Sequence, residues 1–230
     1  MESTAFDKSE LNKVGRHQER AHYDKTTIVS IVREAKIAHV AFVDADGLPQ
    51  CIPMIAAFED PESQDLILYL HSHPSSRVYK LLSQPNVRVV ATSTILDGYV
   101  LALSSFGSSM NYRSAVLHGY TLPLDPNNDA EKNAAFIRIT DSTIPGRWDH
   151  AREPTPTEFK GTAIIRVAID TASAKIRIGG PVENKQDLLD DHLTSTVWTG
   201  VVPVKHITTA PEPSEYSHSV PLPDHVRQLK

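Results

Sequence analysis

Short apolar runs separated by tight polar turns dominate this chain, and they limit its fold more than any other feature. Runs at 39–43, 50–58, 65–71, 87–93, 99–104, 114–121, 162–169 and 174–178 have the length and composition of strands. Asp44-Ala45-Asp46-Gly47, between the first two, has the composition of a hairpin turn. Pro53 lies inside the second run. Proline donates nothing to a ladder, so that strand is expected at an edge, at a bulge or facing a ligand. Helical spacing occurs at 28–37, begun by Asp24 or the Thr26-Thr27 pair, at 77–82 and at 129–139. Helices that do not alternate with strands argue against a doubly wound parallel sheet. The pattern predicts a mainly β (α+β) barrel decorated by helices.

The chain has 230 residues, of which 40% are hydrophobic and 22% charged, enough to build one large core. A net charge of -5 provides no basic field for a phosphate backbone, so no nucleic-acid partner is expected. Cys51 is the only cysteine; it excludes an internal disulfide and a cysteine-built metal centre, and it fits a reducing compartment. The first residues contain no apolar stretch, and no window approaches the ~18–20 apolar residues that span a bilayer. A cytoplasmic protein without a membrane partner is expected. Residues 1–22 read as a polar arm over the surface, and 206–230, rich in Pro, Ser and His, as an extended tail.

Three strings can carry chemistry. His71-Ser72-His73-Pro74-Ser75-Ser76-Arg77 leads from a strand into a helix, whose first N–H groups favour an anion. Ser75 and Ser76 add hydroxyls, Arg77 a bidentate fork, and Lys80 a charge one turn later. The same string also suits an ordinary serine-capped helix with a solvated basic face, which is the commoner outcome. Residues 104–114 read as a hydroxyl-rich loop between strands, in which Phe106, Met110 and Tyr112 can pack on a flat ring while Asn111 and Arg113 bond its rim. Such a loop can equally plug a barrel mouth. Trp148, in Pro145-Gly146-Arg147-Trp148-Asp149, and Trp198 can wall a pocket or sit in a core or a dimer interface, the latter pair of roles being preferred for Trp198. His71 and His73 share one face of an extended segment, but no carboxylate or cysteine completes a set, so no metal site is expected. There is no G-x-S-x-G elbow, P-loop or G-x-G-x-x-G.

The order of several strings resembles the flavin-nucleotide-binding branch of the pyridoxamine-phosphate-oxidase-like split barrels, which includes the nitroimidazole-resistance-like proteins. The strings are Leu68-Tyr69-Leu70-His71, Ser76-Arg77, Leu96-Asp97-Gly98-Tyr99-Val100-Leu101-Ala102, Ser109-Met110-Asn111-Tyr112-Arg113-Ser114 and Pro145-Gly146-Arg147-Trp148-Asp149, closed by 173–177 and 197–201. The resemblance implies a six-stranded split β-barrel over 23–205, a homodimer, and two FMN sites built from both subunits. Ser76 and Arg77 would meet the FMN phosphate, Pro53 and Met54 would run beside the flavin ring, and Met110 to Ser114 would line the same site with Trp148 close by. The residue matching His71 faces the ligand pocket in the nitroimidazole-resistance-like proteins. Two positions depart from the pattern: Val78 stands where relatives usually carry a basic residue, and Gly107-Ser108 where they often show two histidines.

Three functions follow. The first is an FMN-dependent oxidoreductase acting on a small organic substrate, with His71, Tyr112 and Arg113 as its catalytic candidates. The second is a cofactor-free enzyme of a specialised biosynthetic pathway that reuses the flavin cleft. The third is a non-catalytic flavin or haem binder, for which nothing in the sequence singles out one axial histidine.

Overall fold

The computed structural model describes residues 5–59, 66–125 and 128–229. Its centre is an antiparallel sheet. The strands are β1 (Ala21–His22), β2 (Ile37–Val43), β3 (Pro49–Ile55), β4 (Ala57–Phe58), β5 (Ile67–Ser72), β6 (Arg88–Leu101), β7 (Ser109–Leu122), β8 (Ala163–Arg177) and β9 (Gly200–Pro203). The hydrogen-bonded order is β3-β2-β6-β7-β8-β5-β4, with β1 added to β8 and β9 to β6. The ladder itself is not closed. Its two ends, β3 and β4, are successive strands with only Ala56 between them, so the chain curls the sheet back on itself. This is a split barrel.

Local chemistry sets the elements. Asp24 caps α1 (Lys25–Ala35), its carboxylate accepting from Thr27 N at 2.7 Å. Ile28, Val29, Ile31 and Val32 of α1 are buried in the barrel core, each contributing roughly 1.5–3 kcal/mol by area. Along β2 the inward set is Ala38, Val40 and Phe42, the period-2 pattern of a strand with one buried face. At the β2–β3 turn Asp44 Oδ1 accepts from Asp46 N at 3.0 Å and Leu48 N at 2.9 Å, while Gly47 takes φ +78°. Pro53 lies on β3, a strand paired on one side only, as its missing N–H requires.

Helices α2 (Arg77–Leu82), α3 (Asp129–Thr143), α4 (Arg147–His150), α5 (Pro156–Gly161), α6 (Asp191–Thr196) and α7 (Asp224–Arg227) lie around the barrel. Against β5, residues from α3 to α5 form a second apolar cluster of Ala135, Phe136, Ile139, Trp148 and Phe159 with Ile67 and Tyr69. Leu66, Leu68 and Leu70 point the other way, into the barrel. The uninterrupted apolar run of β5 is therefore buried on both faces.

Four expectations are corrected. Runs 87–93 and 99–104 are one strand, β6, because a bulge between Leu96 and Gly98 absorbs the polar residues between them. Segment 109–114 is not loop: it opens β7 and pairs with β6 and β8, leaving only 102–108 as the connection. The hairpin expected over 162–178 is the single strand β8, whose register against β7 shifts at His118/Gly119. The sheet has nine strands rather than six, three of them (β1, β4 and β9) short additions. Asp65, placed in the third run, lies outside the described residues. The arm is also anchored: Asn12 is buried and donates to Thr171 Oγ1 at 2.6 Å and Ala172 O at 3.2 Å. The tail is extended apart from one 3₁₀ turn and α7, where the His225 ring lies 4.7 Å from that of His150.

Candidate functional site

His71 follows Ile67 and Tyr69 at two-residue intervals on β5, so it shares the face that α3, α4 and α5 cover. There the barrel and helices leave a cavity of about 370 Å³. Ile55, Phe136, Ile139, Ile144, Trp148 and Phe159 form its apolar wall. No hydrogen bond reaches the His71 ring among the described residues, and Nδ1 is buried without a partner. Burial holds its pKa below the ordinary 6.5, so the ring is neutral at physiological pH and keeps a free lone pair. At the rim, Arg152 clasps Glu158 at 2.6 and 2.8 Å. That pair, with the Thr155 cap, pulls the Glu158 carboxyl down to about 2.

The turn after β5 is held by its own hydroxyls. Ser76 Oγ caps α2, accepting from Tyr79 N at 3.1 Å, and lies 2.6 Å from Ser72 Oγ. Ser75 Oγ lies 2.7 Å from His73 Nδ1. Arg77 Nη2 donates to Gln50 Oε1 at 2.5 Å, which ties α2 to β3, and Gln50 Nε2 donates to Asp44 Oδ2 at 2.8 Å. Arg77, Ser75 and Lys80 are exposed along one side of this turn. Val78 is 8% exposed and belongs to the barrel core, which explains an apolar residue there. Pro53 is exposed on β3, whereas Met54 packs against the core.

Segment 110–114 does not converge on one place within a subunit. Met110 is half exposed on β7. Asn111 is buried, its Oδ1 accepting from Arg177 Nη1 at 2.6 Å and its Nδ2 donating to Gly179 O at 3.1 Å. Tyr112 lines a separate cleft with Arg177. Arg113 lines a third cavity, of about 610 Å³, and is gripped by two carboxylates. It reaches Asp97 at 2.8 and 3.0 Å and Glu34 through both terminal nitrogens. One guanidinium between two carboxylates leaves a net negative cluster rather than a free cation, and the pKa of Arg113 is raised accordingly, first by Asp97. Ser114 Oγ donates to Lys175 O at 3.3 Å. Thus His71 and Trp148 meet, as do Arg77 and β3, but no described cavity joins either group to 110–114. Trp198 is 64% exposed, so it is no core residue of a single subunit. Among the described residues no three His, Cys, Asp or Glu side chains are grouped to hold a metal, and no helix is long and apolar enough to cross a membrane.

Sequence reasoning did not find the walls Phe136, Ile144 and Phe159, because they belong to helices whose docking is tertiary. It also missed Arg177, although the string 173–177 was part of the resemblance.

A barrel split in this way, with a capped turn leading from β5 into α2, defines a class of flavin-binding folds. The chain belongs to the pyridoxamine 5′-phosphate oxidase family, whose model matches residues 24–176. Among solved structures it is similar to the flavocytochrome Anf3 from Azotobacter vinelandii: 28% identity, TM-score 0.81, covering 96% of this chain and 97% of that one. It is also similar to the FAD and heme binding protein from Mycobacterium smegmatis: 30% identity, TM-score 0.78, covering 91% and 97%. A candidate 5-nitroimidazole antibiotic resistance protein from Bacteroides thetaiotaomicron shares the fold, at 24% identity and TM-score 0.54, covering 68% and 86%. No curated protein matches the chain.

Proposed function

We propose that the protein is a flavin-dependent oxidoreductase that also holds haem, with His71 as the haem ligand and the flavin across the interface of a homodimer. The observation that carries this reading is the neutral, half-buried His71 ring at an apolar cavity, with its Nδ1 buried and unpartnered. A ring nitrogen buried without a hydrogen bond is costly, and a neutral imidazole is a haem ligand. Two similar structures of nearly full overlap are described as a flavocytochrome and as an FAD and heme binding protein. When bound, the two groups supply electron transfer; the chain binds and orients them. Trp148, Phe136 and Phe159 would give a ligand of His71 an apolar wall. Arg77, fixed to β3 by Gln50, and the Ser75 and Ser76 hydroxyls offer donors to a flavin phosphate beside Pro53. Whether the flavin is FMN, as the resemblance implies, or FAD is decided by mass analysis of the released cofactor.

The dimer is supported by a row of apolar side chains. Val202, Tyr99 and Met110 stand opposite one another on β9, β6 and β7, hence on one face, and are 45%, 48% and 50% exposed. Leu101 extends the row along β6. A contiguous apolar face of this kind fits a subunit interface.

An absorption spectrum of the freshly purified protein tests the reading: flavin bands and a Soret band are expected, and His71→Ala is expected to lose the Soret band alone. A colourless protein that takes up neither added flavin nor added haemin would refute it. A Soret band unchanged in His71→Ala would remove the ligand assignment. Flavin bands without any Soret band would favour the second reading, in which the cavity of about 370 Å³ receives a small organic substrate beside the flavin.

A further inference from the structure

Away from His71, the β7–β8 pair and the arm build a cationic cleft. Lys175 and Arg177 are two residues apart on β8 and share one face of the strand. β1 pairs Ala21 with Lys175, which brings Arg20 beside them, and the arm that precedes it brings Arg16. With Tyr112, opposite Arg177 in register, these residues line a cleft of about 570 Å³. Ser108 and Ser109 add hydroxyls, and Phe106, fully exposed, is also part of the lining.

Four guanidinium or ammonium groups line this cleft and no carboxylate does. Glu19, outside the lining, reaches His17 at 3.0 Å and Arg20 at 3.6 Å. Arg16, Lys175 and Arg177 enter no ion pair among the described residues. Arg177 decides the matter: it is only 6% exposed, yet its partners are all neutral. They are Asn111 Oδ1 at 2.6 Å and the carbonyls of Met110 and Gly180, both at 3.5 Å. A guanidinium stays charged at any physiological pH, and burying it without a counter-charge costs free energy. The chain has a net charge of -5, so this concentration of unpaired cations is not a spill-over of a basic protein.

We infer that this cleft binds the diphosphate group of a nucleotide. One carboxylate would balance one of the three unpaired charges, and a neutral ligand none; a diphosphate offers several oxygens to guanidinium forks and hydroxyls at once. Phe106 and Tyr112 supply aromatic faces for a flat base. The same chemistry has two sources, the ADP half of a dinucleotide flavin or a free nucleotide. The inference needs only the charges of the cleft and stands without the flavin and haem reading.

The test is calorimetric titration of ADP into the full chain, as isolated and after dialysis at high salt to remove bound nucleotide. Binding to both preparations identifies a free nucleotide as the source. Binding only to the dialysed protein, with FAD found in the dialysate, identifies the flavin. In either case Arg16→Gln/Arg20→Gln, a change at accessible positions, is expected to weaken ADP at least tenfold, and adenosine is expected to bind far more weakly than ADP. Failure of the dialysed protein to bind ADP, an unchanged affinity in the double variant, or equal affinity for adenosine would each overturn the inference. None of these outcomes bears on the Soret band.

Discussion

At the scale of the residue, His71 has a thermodynamic signature that does not depend on any ligand. Its folded pKa lies below the ordinary 6.5 because burial disfavours the imidazolium. The unfolded chain therefore takes up a proton that the folded chain refuses. The sign follows: the contribution of the neutral ring to stability is complete above pH 6.5 and is lost as pH falls through the lower folded value. In ligand-free protein, thermal melts from pH 7.5 down to pH 5 are expected to fall more steeply for wild type than for His71→Leu; parallel curves would sink this assignment. His118, whose pKa burial also lowers, is common to both proteins and cancels in the comparison. Ser76→Ala is expected to cost about 1 kcal/mol in chemical denaturation, because it removes the side-chain acceptor at the start of α2. Asp24 was one of two starts the sequence offered for α1, and a serine cap was legible before α2, since capping is decided within a few residues. The pairing of Arg113 with Glu34 and Asp97 was not, because its partners stand 79 and 16 positions away and only the sheet brings them together.

At the scale of the element, the two longest ladders explain where sequence pattern failed. β6 and β8 have 14 and 15 residues, longer than the runs that mark them, because each carries an extra residue, Asp97 in β6 and Asp170 in β8, opposite consecutive residues of β7. A bulge inserts residues that break the two-residue period without breaking the strand, so one strand reads as two. Glycines show where the backbones come closest. A Cβ on Gly119 would lie 2.3 Å from Ala168 O, a backbone atom that cannot swing aside. Gly119→Ala is accordingly expected to cost about 3 kcal/mol or more, read from the midpoint of urea unfolding; a loss below about 1 kcal/mol would mean that the register shift is not needed. By contrast, the helix of 28–37 was legible, displaced by a few residues, because its apolar stripe is continuous and faces one core. The helices over β5 were only partly legible. The expected 129–139 runs on to Thr143, and the one-turn α4 and two-turn α5 carry no period long enough to detect.

At the scale of the whole molecule, the proposed interface along Val202, Tyr99, Met110 and Leu101 would tie assembly to cofactor binding. Tyr99→Asp is expected to shift the species seen by light scattering from two chains to one, and to release flavin while the far-UV circular dichroism stays unchanged. A dimer that survives the change would move the interface elsewhere. The seam of the barrel has a different consequence. A ribbon whose first and last rungs belong to one thread cannot shear at one end alone, since any slip there must be matched at the other. Met54 and Ile55 sit on that thread immediately before Ala56, one against the barrel interior and the other in the wall of the histidine chamber. Their spacing is therefore a dimension of the frame, like the distance between two teeth of one gear, and the loops around the chamber can vary without altering it.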